Sequence, residues 1–278
     1  LATPIPFYVP LLLGAFGRLS PKKAARFLAD FIARPRGRNP TQPWELATGT
    51  TGREVELRTG LHARSWGETG PLVLALHGWR GRTTQFRPLA AKLHDKGMRT
   101  LALDLPGHGV TVGDSATPRE LGELLVEVEH IVGPVHAAIG HSFGGAALGA
   151  GIVYGFRPKR LVIVSSPTRV SRIPILLAKT AGLPPRAMKE FVRILDREAG
   201  RPSAELDLVS TAPHAGVPGL LIHDLHDGVI PYHEAEALAN AWPELKVMTT
   251  SGKGHRDILS APDVMRAIVQ FVDPEARV

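Results

Sequence analysis

Three separated segments of this chain carry side chains that could do nucleophilic chemistry together. The first is Gly140-His141-Ser142-Phe143-Gly144-Gly145, which follows the apolar run Val135 to Ile139 and leads into a stretch of small residues. A serine between glycines at such a junction fits a sharp strand-to-helix turn with its hydroxyl exposed. The turn strains the serine backbone and leaves little room for side chains two positions away, which glycine satisfies. A serine hydroxyl is a weak nucleophile near neutral pH. It needs a base within hydrogen-bond reach, and the base needs an orienting acceptor.

Of the twelve histidines, His255 has the position expected of that base. It ends Ser251-Gly252-Lys253-Gly254-His255, directly after the last apolar strand, and so lies on a loop at the same sheet edge as Ser142. That edge is where open α/β sheets bind ligands. The acceptor should come from a neighbouring loop, and Leu221 to Pro231 offers Asp224 and Asp227. Asp224 ends its strand, where it can serve loop amides. Asp227, three residues further out, is the expected partner of His255. His223 and His226 would face opposite sides of a strand, which argues against a metal site in this cluster.

Attack on an acyl carbon also creates an oxyanion that must meet preorganised donors. The Phe143 amide opens a helix, where unpaired N–H groups and the helix dipole favour negative charge. A second donor should come from His77-Gly78-Trp79-Arg80-Gly81, after the first parallel strand, with the Trp79 amide in the correct place. His77 reads as a loop-fixing hydrogen-bond residue, because a second base has no task.

Positioning these groups requires a particular order of elements. Glu54–Arg58 and Leu61–Trp66 read as an antiparallel pair around Thr59-Gly60. Strands are then expected at Leu72–His77, Thr100–Asp104, Val135–His141, Leu161–Ser165, Gly219–His223 and Lys246–Thr250. They alternate with helices at Thr84–Lys96, Arg119–Ile131, Phe143–Tyr154, Tyr232–Ala241 and Ile258–Phe271. The strands are near-continuous Val/Ile/Leu/Ala runs, which suits burial on both faces, and the alternation implies a parallel sheet with right-handed crossovers. About fifty residues separate Ser165 from Val217, too many for a structureless loop in a compact domain. With helical pieces near Ile175–Ala181 and Ala187–Ala199, they read as a small helical lid.

The chain of 278 residues is 44% hydrophobic, enough for a large core, and has no cysteine, so disulfides and thiolate metal sites are excluded. Its net charge of +7 is uneven: residues 1–43 hold seven Arg and Lys against Asp30 alone. The body is close to neutral, which disfavours nucleic-acid binding. In the arm, Ser20-Pro21 resembles a helix start, and Ala24, Phe27, Leu28, Phe31 and Ile32 recur at helical spacing. Packing on the body is the expected use of that helix. Peripheral membrane contact through residues 1–38 is the competing one. The expected location is the cytoplasm, with attachment through the arm as the variant.

Together, His77-Gly78-Trp79, Asp104-Leu105-Pro106-Gly107-His108-Gly109, Gly140 to Gly145, Asp227-Gly228-Val229-Ile230-Pro231 and Gly254-His255 resemble the α/β-hydrolase-fold serine hydrolases of the esterase/lipase kind. The resemblance covers roughly residues 50–273 and includes the chain order Ser, Asp, His. It implies a mostly parallel twisted sheet with helices on both faces, built from 46–166 and 214–278, a lid at 167–213, and an arm and linker at 1–45. It also implies Ser142 as nucleophile, Asp227 as acid, His255 as base, and Trp79 and Phe143 as oxyanion donors. A small-molecule ester is the implied substrate, and no metal or organic cofactor is called for. The family's His-Gly-Gly-Gly run is absent, which disfavours very bulky alcohols. Thioesters, amides or peptides, and carbon–carbon bonds are alternatives that the same groups could cleave. Simple ligand binding in a pocket of this fold is a further, non-catalytic alternative.

Overall fold

The computed structural model describes residues 8–46 and 52–273. Among these residues, eight strands form one sheet: β1 Arg53–Arg58, β2 Leu61–Trp66, β3 Leu72–Leu76, β4 Arg99–Leu103, β5 Ala137–His141, β6 Leu161–Val164, β7 Gly219–Asp224 and β8 Lys246–Thr250. Their order across the sheet is β1-β2-β4-β3-β5-β6-β7-β8. β1, β2 and β4 pair antiparallel, and every pair from β4-β3 to β7-β8 is parallel. The architecture is therefore α/β, a mostly parallel sheet with helices on both faces.

Alternation along each strand divides the core in two. Leu72, Leu74 and Leu76 of β3 join Ala138, Leu161, Ile163 and Leu221 on one face. Val73 and Ala75 join Ala137, Ile139, Val162, Val164, Leu220 and Ile222 on the other. The helices, in chain order, are α1 Tyr8–Leu19, α2 Pro21–Ala33, α3 Pro43–Leu46, α4 Arg87–His94, α5 Pro118–Val132, α6 Phe143–Tyr154, α7 Arg172–Thr180, α8 Pro185–Ala199, α9 Leu208–Thr211, α10 His233–Ala241 and α11 Pro262–Val272. α5, α6 and α10 cover the first face, and α4 and α11 the second.

Proline sets several of these starts. The expected helix from Thr84 begins as a 3₁₀ turn, Thr83–Phe86, and becomes α-helical at Arg87, next to Pro88. The expected helix from Ile258 is likewise a 3₁₀ turn, Asp257–Ser260, followed by α11 from Pro262. A ring in the first turn removes only an N–H that has no intrahelical partner. α5 adds a reciprocal cap. The Thr117 side chain accepts from the Glu120 amide, and the Glu120 carboxylate accepts from the Thr117 amide at 2.8 Å.

Between β6 and β7 the chain leaves the sheet to form α7, α8 and α9. The N-terminal arm packs on this insertion rather than on the sheet. Ala24, Ala25, Leu28 and Ala29 of α2 form a third core with Ala178, Ala187 and Phe191. The apolar spacing predicts Phe27 and Phe31 on the packed face of α2, but both are exposed. Alanine at the seam lets α2 approach α8 closely and turns the two rings outward. α1 has no counterpart among the helices expected from the sequence. Its Pro10 falls in the first turn, where it is tolerated. Among the described residues, no helix is long and apolar enough to cross a membrane.

Candidate active site

Ser142 stands between β5 and α6 with φ 53° and ψ −121°, a left-handed backbone for a non-glycine residue. The strain, of order 1–3 kcal/mol, is held by close packing on either side. A Cβ on Gly140 would lie 2.5 Å from the Gly145 backbone, and one on Gly144 would strike the Leu76 carbonyl. Glycine there lets α6 start against the ends of β3 and β5.

The three side chains expected to work together do meet. The Ser142 Oγ lies 3.0 Å from Nε2 of His255, and Nδ1 of His255 lies 2.8 Å from Oδ2 of Asp227. Oδ1 of Asp227 accepts from the amides of Val229 and Ile230 at 2.8 and 2.9 Å. Burial by itself would raise the Asp227 carboxyl. The hydrogen bond and charge of His255 and the two amides override burial and hold it at about 2. Asp227 is therefore an anion at neutral pH, so Nδ1–H of His255 donates to it, and the lone pair on Nε2 faces the serine hydroxyl.

Asp224 has a different position. It accepts from the amides of His226 at 2.9 Å and Lys253 at 2.8 Å, and from the Thr250 hydroxyl at 2.8 Å. It thus clamps the loop that carries His255 to the end of β7. The two neighbouring histidines are engaged separately. His223 bonds through Nε2 to the Ile230 carbonyl, and His226 lies 3.3 Å from the Ser251 hydroxyl.

The amides of Trp79 and Phe143 make no hydrogen bond among the described residues. Orphan N–H groups are uncommon inside proteins. These two flank the serine, because Gly78 packs so tightly on Ser142 that a Cβ there would fall 3.3 Å from Oγ. The indole of Trp79 packs edge-on against the Phe143 ring, centroids 5.0 Å apart. The Trp79 loop is fixed by His77, whose Nε2 accepts from the Leu105 amide at 3.1 Å. Its Nδ1–H must then donate to the Gly78 carbonyl, 2.8 Å away. Burial lowers His77 to about 3, so it is neutral and cannot act as a base. Asp104 accepts from Thr83 and Val110 amides and shapes the adjoining turn.

Two contributors were not found from the sequence. His141, buried beside His255, donates from Nε2 to the His255 carbonyl at 2.7 Å and lies tilted against its ring, centroids 4.9 Å apart. Burial and the nearby His255 lower its pKa to about 3. Its position inside the glycine-serine motif was visible, but nothing in the motif specifies a contact 114 residues away. Asn39 belongs to a segment whose composition reads as a linker. Its side chain donates to the Trp79 carbonyl at 2.8 Å and accepts from Arg256 at 3.0 Å, joining the loops on either side of Ser142. Nearby, buried Glu45 accepts from the Gln42 amide and the Thr84 hydroxyl, fastening residues 39–45 to the body.

Comparison with known proteins agrees with this architecture. Residues 72–268 match the alpha/beta hydrolase family. The chain belongs to that family. The pimeloyl-[acyl-carrier protein] methyl ester esterase of Xanthomonas axonopodis is 26% identical over 248 residues, covering 73% of this chain and 95% of that protein. A serine hydrolase-like protein of Dictyostelium discoideum is 37% identical over 68 residues, which cover 22% of this chain and only 19% of the relative. Among solved structures, the monoacylglycerol lipase of Paleococcus ferrophilus superposes with a TM-score of 0.60 at 20% identity, covering 77% of this chain and 98% of the lipase. At these identities the solved structures show a shared fold.

The two neutral, buried histidines give this alpha/beta hydrolase a definite acid response. Their contribution is complete above pH 6.5, the value for a free side chain, and is lost as pH falls towards 3, because the unfolded chain binds protons the folded chain cannot. Each adds about 1.4 kcal/mol per pH unit to the slope of stability against pH. Urea unfolding between about pH 6 and 4 should show that loss, and His141→Gln, which keeps a donor but cannot titrate, should remove about one proton from the slope. An unchanged slope in the variant would contradict the assignment.

Proposed function

We propose that this alpha/beta hydrolase is a serine esterase that cleaves small carboxylic esters through an acyl-enzyme. The observation that carries the reading is the relay of two short contacts from Ser142 through His255 to an ionised Asp227. Ser142 attacks the ester carbonyl while Nε2 of His255 takes its proton. Asp227 holds the imidazole with Nδ1 protonated and stabilises the imidazolium that forms. Oxygen charge that develops on the substrate is received by the unpaired amides of Trp79 and Phe143. His255 then gives its proton to the leaving alcohol. Water repeats the sequence on the acyl group and restores the serine.

A carboxylic ester is favoured over the other bonds because the relative matched along most of both chains is named as a methyl ester esterase. Residues 167–213 are assigned as the lid of the acyl site. They leave the sheet just after β6, beside the serine, and their first residues are tied to α10 by Glu234, which accepts from the Thr168 amide at 2.7 Å. The chemistry requires no metal or organic cofactor, since each charge is met by a side chain or an amide.

A fluorophosphonate probe should label the wild type and leave Ser142→Ala unlabelled. Hydrolysis of p-nitrophenyl esters should fall by about three to six orders of magnitude in Ser142→Ala and His255→Ala. Substantial turnover by purified Ser142→Ala would refute the mechanism. The two aspartates separate by kinetics and stability. Asp227→Asn should lower kcat by about four orders of magnitude in a folded protein, whereas Asp224→Asn should act mainly on the melting temperature. The reverse pattern would transfer the role to Asp224. Asn39 acts as a positioning residue. Asn39→Ala should lower kcat about tenfold with KM little changed, and Asn39→Asp, which keeps the acceptor for Arg256 but loses the donor to Trp79, should not restore it.

A further inference from the structure

The helical hairpin of α1 and α2 lies outside the residues that match the family, and α1 is turned the opposite way from a helix serving a core. Its buried side holds Leu13, Gly14 and Gly17, while Leu11, Leu12, Ala15, Phe16 and Leu19 are exposed. That spacing is one continuous apolar stripe on a helix. Leu12 is 67% exposed and Leu19 85%. The glycines explain the orientation. A Cβ on Gly17 would lie 2.5 Å from the ring of Pro184, and one on Gly14 would meet the Gly182 carbonyl at 3.5 Å. The backbone of α1 therefore rests against the α7–α8 turn, and Leu11, Leu12 and Leu19 face away. α2 adds exposed Phe27 and Phe31, with the Arg36 guanidinium 3.8 Å above the Phe31 ring.

At the end of the stripe the surface changes character. Leu19 is followed by Ser20 and Pro21, which border an open groove of about 530 Å³ between the start of α2 and α8. Lys22, Lys23, Arg186, Lys189 and Arg193 line it with a single acid, Glu190, already held by Arg193 at 2.7 Å. The other four cations make no ion pair among the described residues. The Ser20 side chain caps no amide, so the first-turn N–H groups of α2 add to the positive field.

A cationic groove continuous with exposed leucines asks for anionic groups and hydrocarbon together. A free phosphate supplies only the first, and a second copy of this hairpin would set cations against cations. We propose that the hairpin docks the protein on membranes that contain anionic phospholipid, with headgroup phosphates in the groove and the α1 stripe in the acyl boundary. The docking stands apart from the esterase reading, since none of these residues touches Ser142, His255 or Asp227.

The test is co-sedimentation of the full chain with vesicles of phosphatidylcholine alone or with about one-third phosphatidylglycerol, at low and high salt. Wild type should bind only the anionic vesicles and should be released by salt. Replacing Lys22 and Lys23 by Gln, or Leu11, Leu12 and Leu19 by Ser, should each weaken partition at least about tenfold. Hydrolysis of a water-soluble ester should be unchanged in both sets, showing that the body is folded. The proposal is overturned if wild type ignores anionic vesicles, if it binds neutral ones equally well, or if neither set of substitutions weakens binding. Absence of vesicle binding, with a dimer by light scattering that the serine substitutions dissolve, would assign the stripe to a second copy. Binding of inorganic phosphate in the groove without vesicle binding would assign it to a free anion.

Discussion

The backbone at Ser142 can hold its left-handed turn only because the chain around it has almost no side chains. Gly140, Gly144 and Gly145 let β5 fold back into α6 within a few residues, and each would collide with a neighbour if it carried a Cβ. Their neighbours are the Leu76 carbonyl at the end of β3, the Gly145 backbone itself and the Ser166 side chain beyond β6. One tight approach thus locks the ends of three adjacent strands to the start of one helix. It also determines where the other groups must come. The Gly78 loop follows β3, the Asp227 loop follows β7 and the His255 loop follows β8, all at the edge to which the turn delivers the hydroxyl.

Around that point, residues of one type are given different tasks by their surroundings. Asp224 and Asp227 lie three positions apart and both are held below the ordinary carboxylate range, yet their partners differ. Asp224 bonds only to backbone amides and a threonine, so it organises a loop. Asp227 uses one oxygen for the same purpose and leaves the other for the imidazole. His77 and His141 are buried and neutral, with their hydrogen bonds spent on Gly78 and His255 backbone. Among the described residues, His255 alone has an imidazole between an anion and a hydroxyl. The chemistry of a histidine here follows from which atoms face its two nitrogens.

Much of this could be read from residue order, because it depends on local pattern. The β-strands are dense apolar runs buried on both faces, and every strand lies within two residues of its expected place. The meeting of Ser142, Asp227 and His255 is readable because each sits on a short loop directly after such a run. The residues that local pattern does not reveal act across long separations. Asn39 and His141 reach backbone groups on remote loops, and no periodicity encodes a hydrogen bond to a carbonyl. At α2 the spacing misleads for a different reason. Hydrophobic spacing favours the large rings Phe27 and Phe31, but the seam with α8 is made by Ala24, Ala25 and Ala29, where small side chains give the closest approach.

The arm sharpens that contrast between size and fit. Burying a leucine contributes about 1.5–3 kcal/mol, so a helix presenting several leucines would gain by turning them against the insertion. α1 does not, because its contact with Gly182 and Pro184 is made by backbone at glycine distance, and a leucine placed there would push the helix away from the turn that seats it. The leucine stripe is therefore fixed outward by the same small-residue packing that seats α1. Short-range fit chooses which face is buried, and the hydrophobic surface left over remains available to surroundings outside the fold.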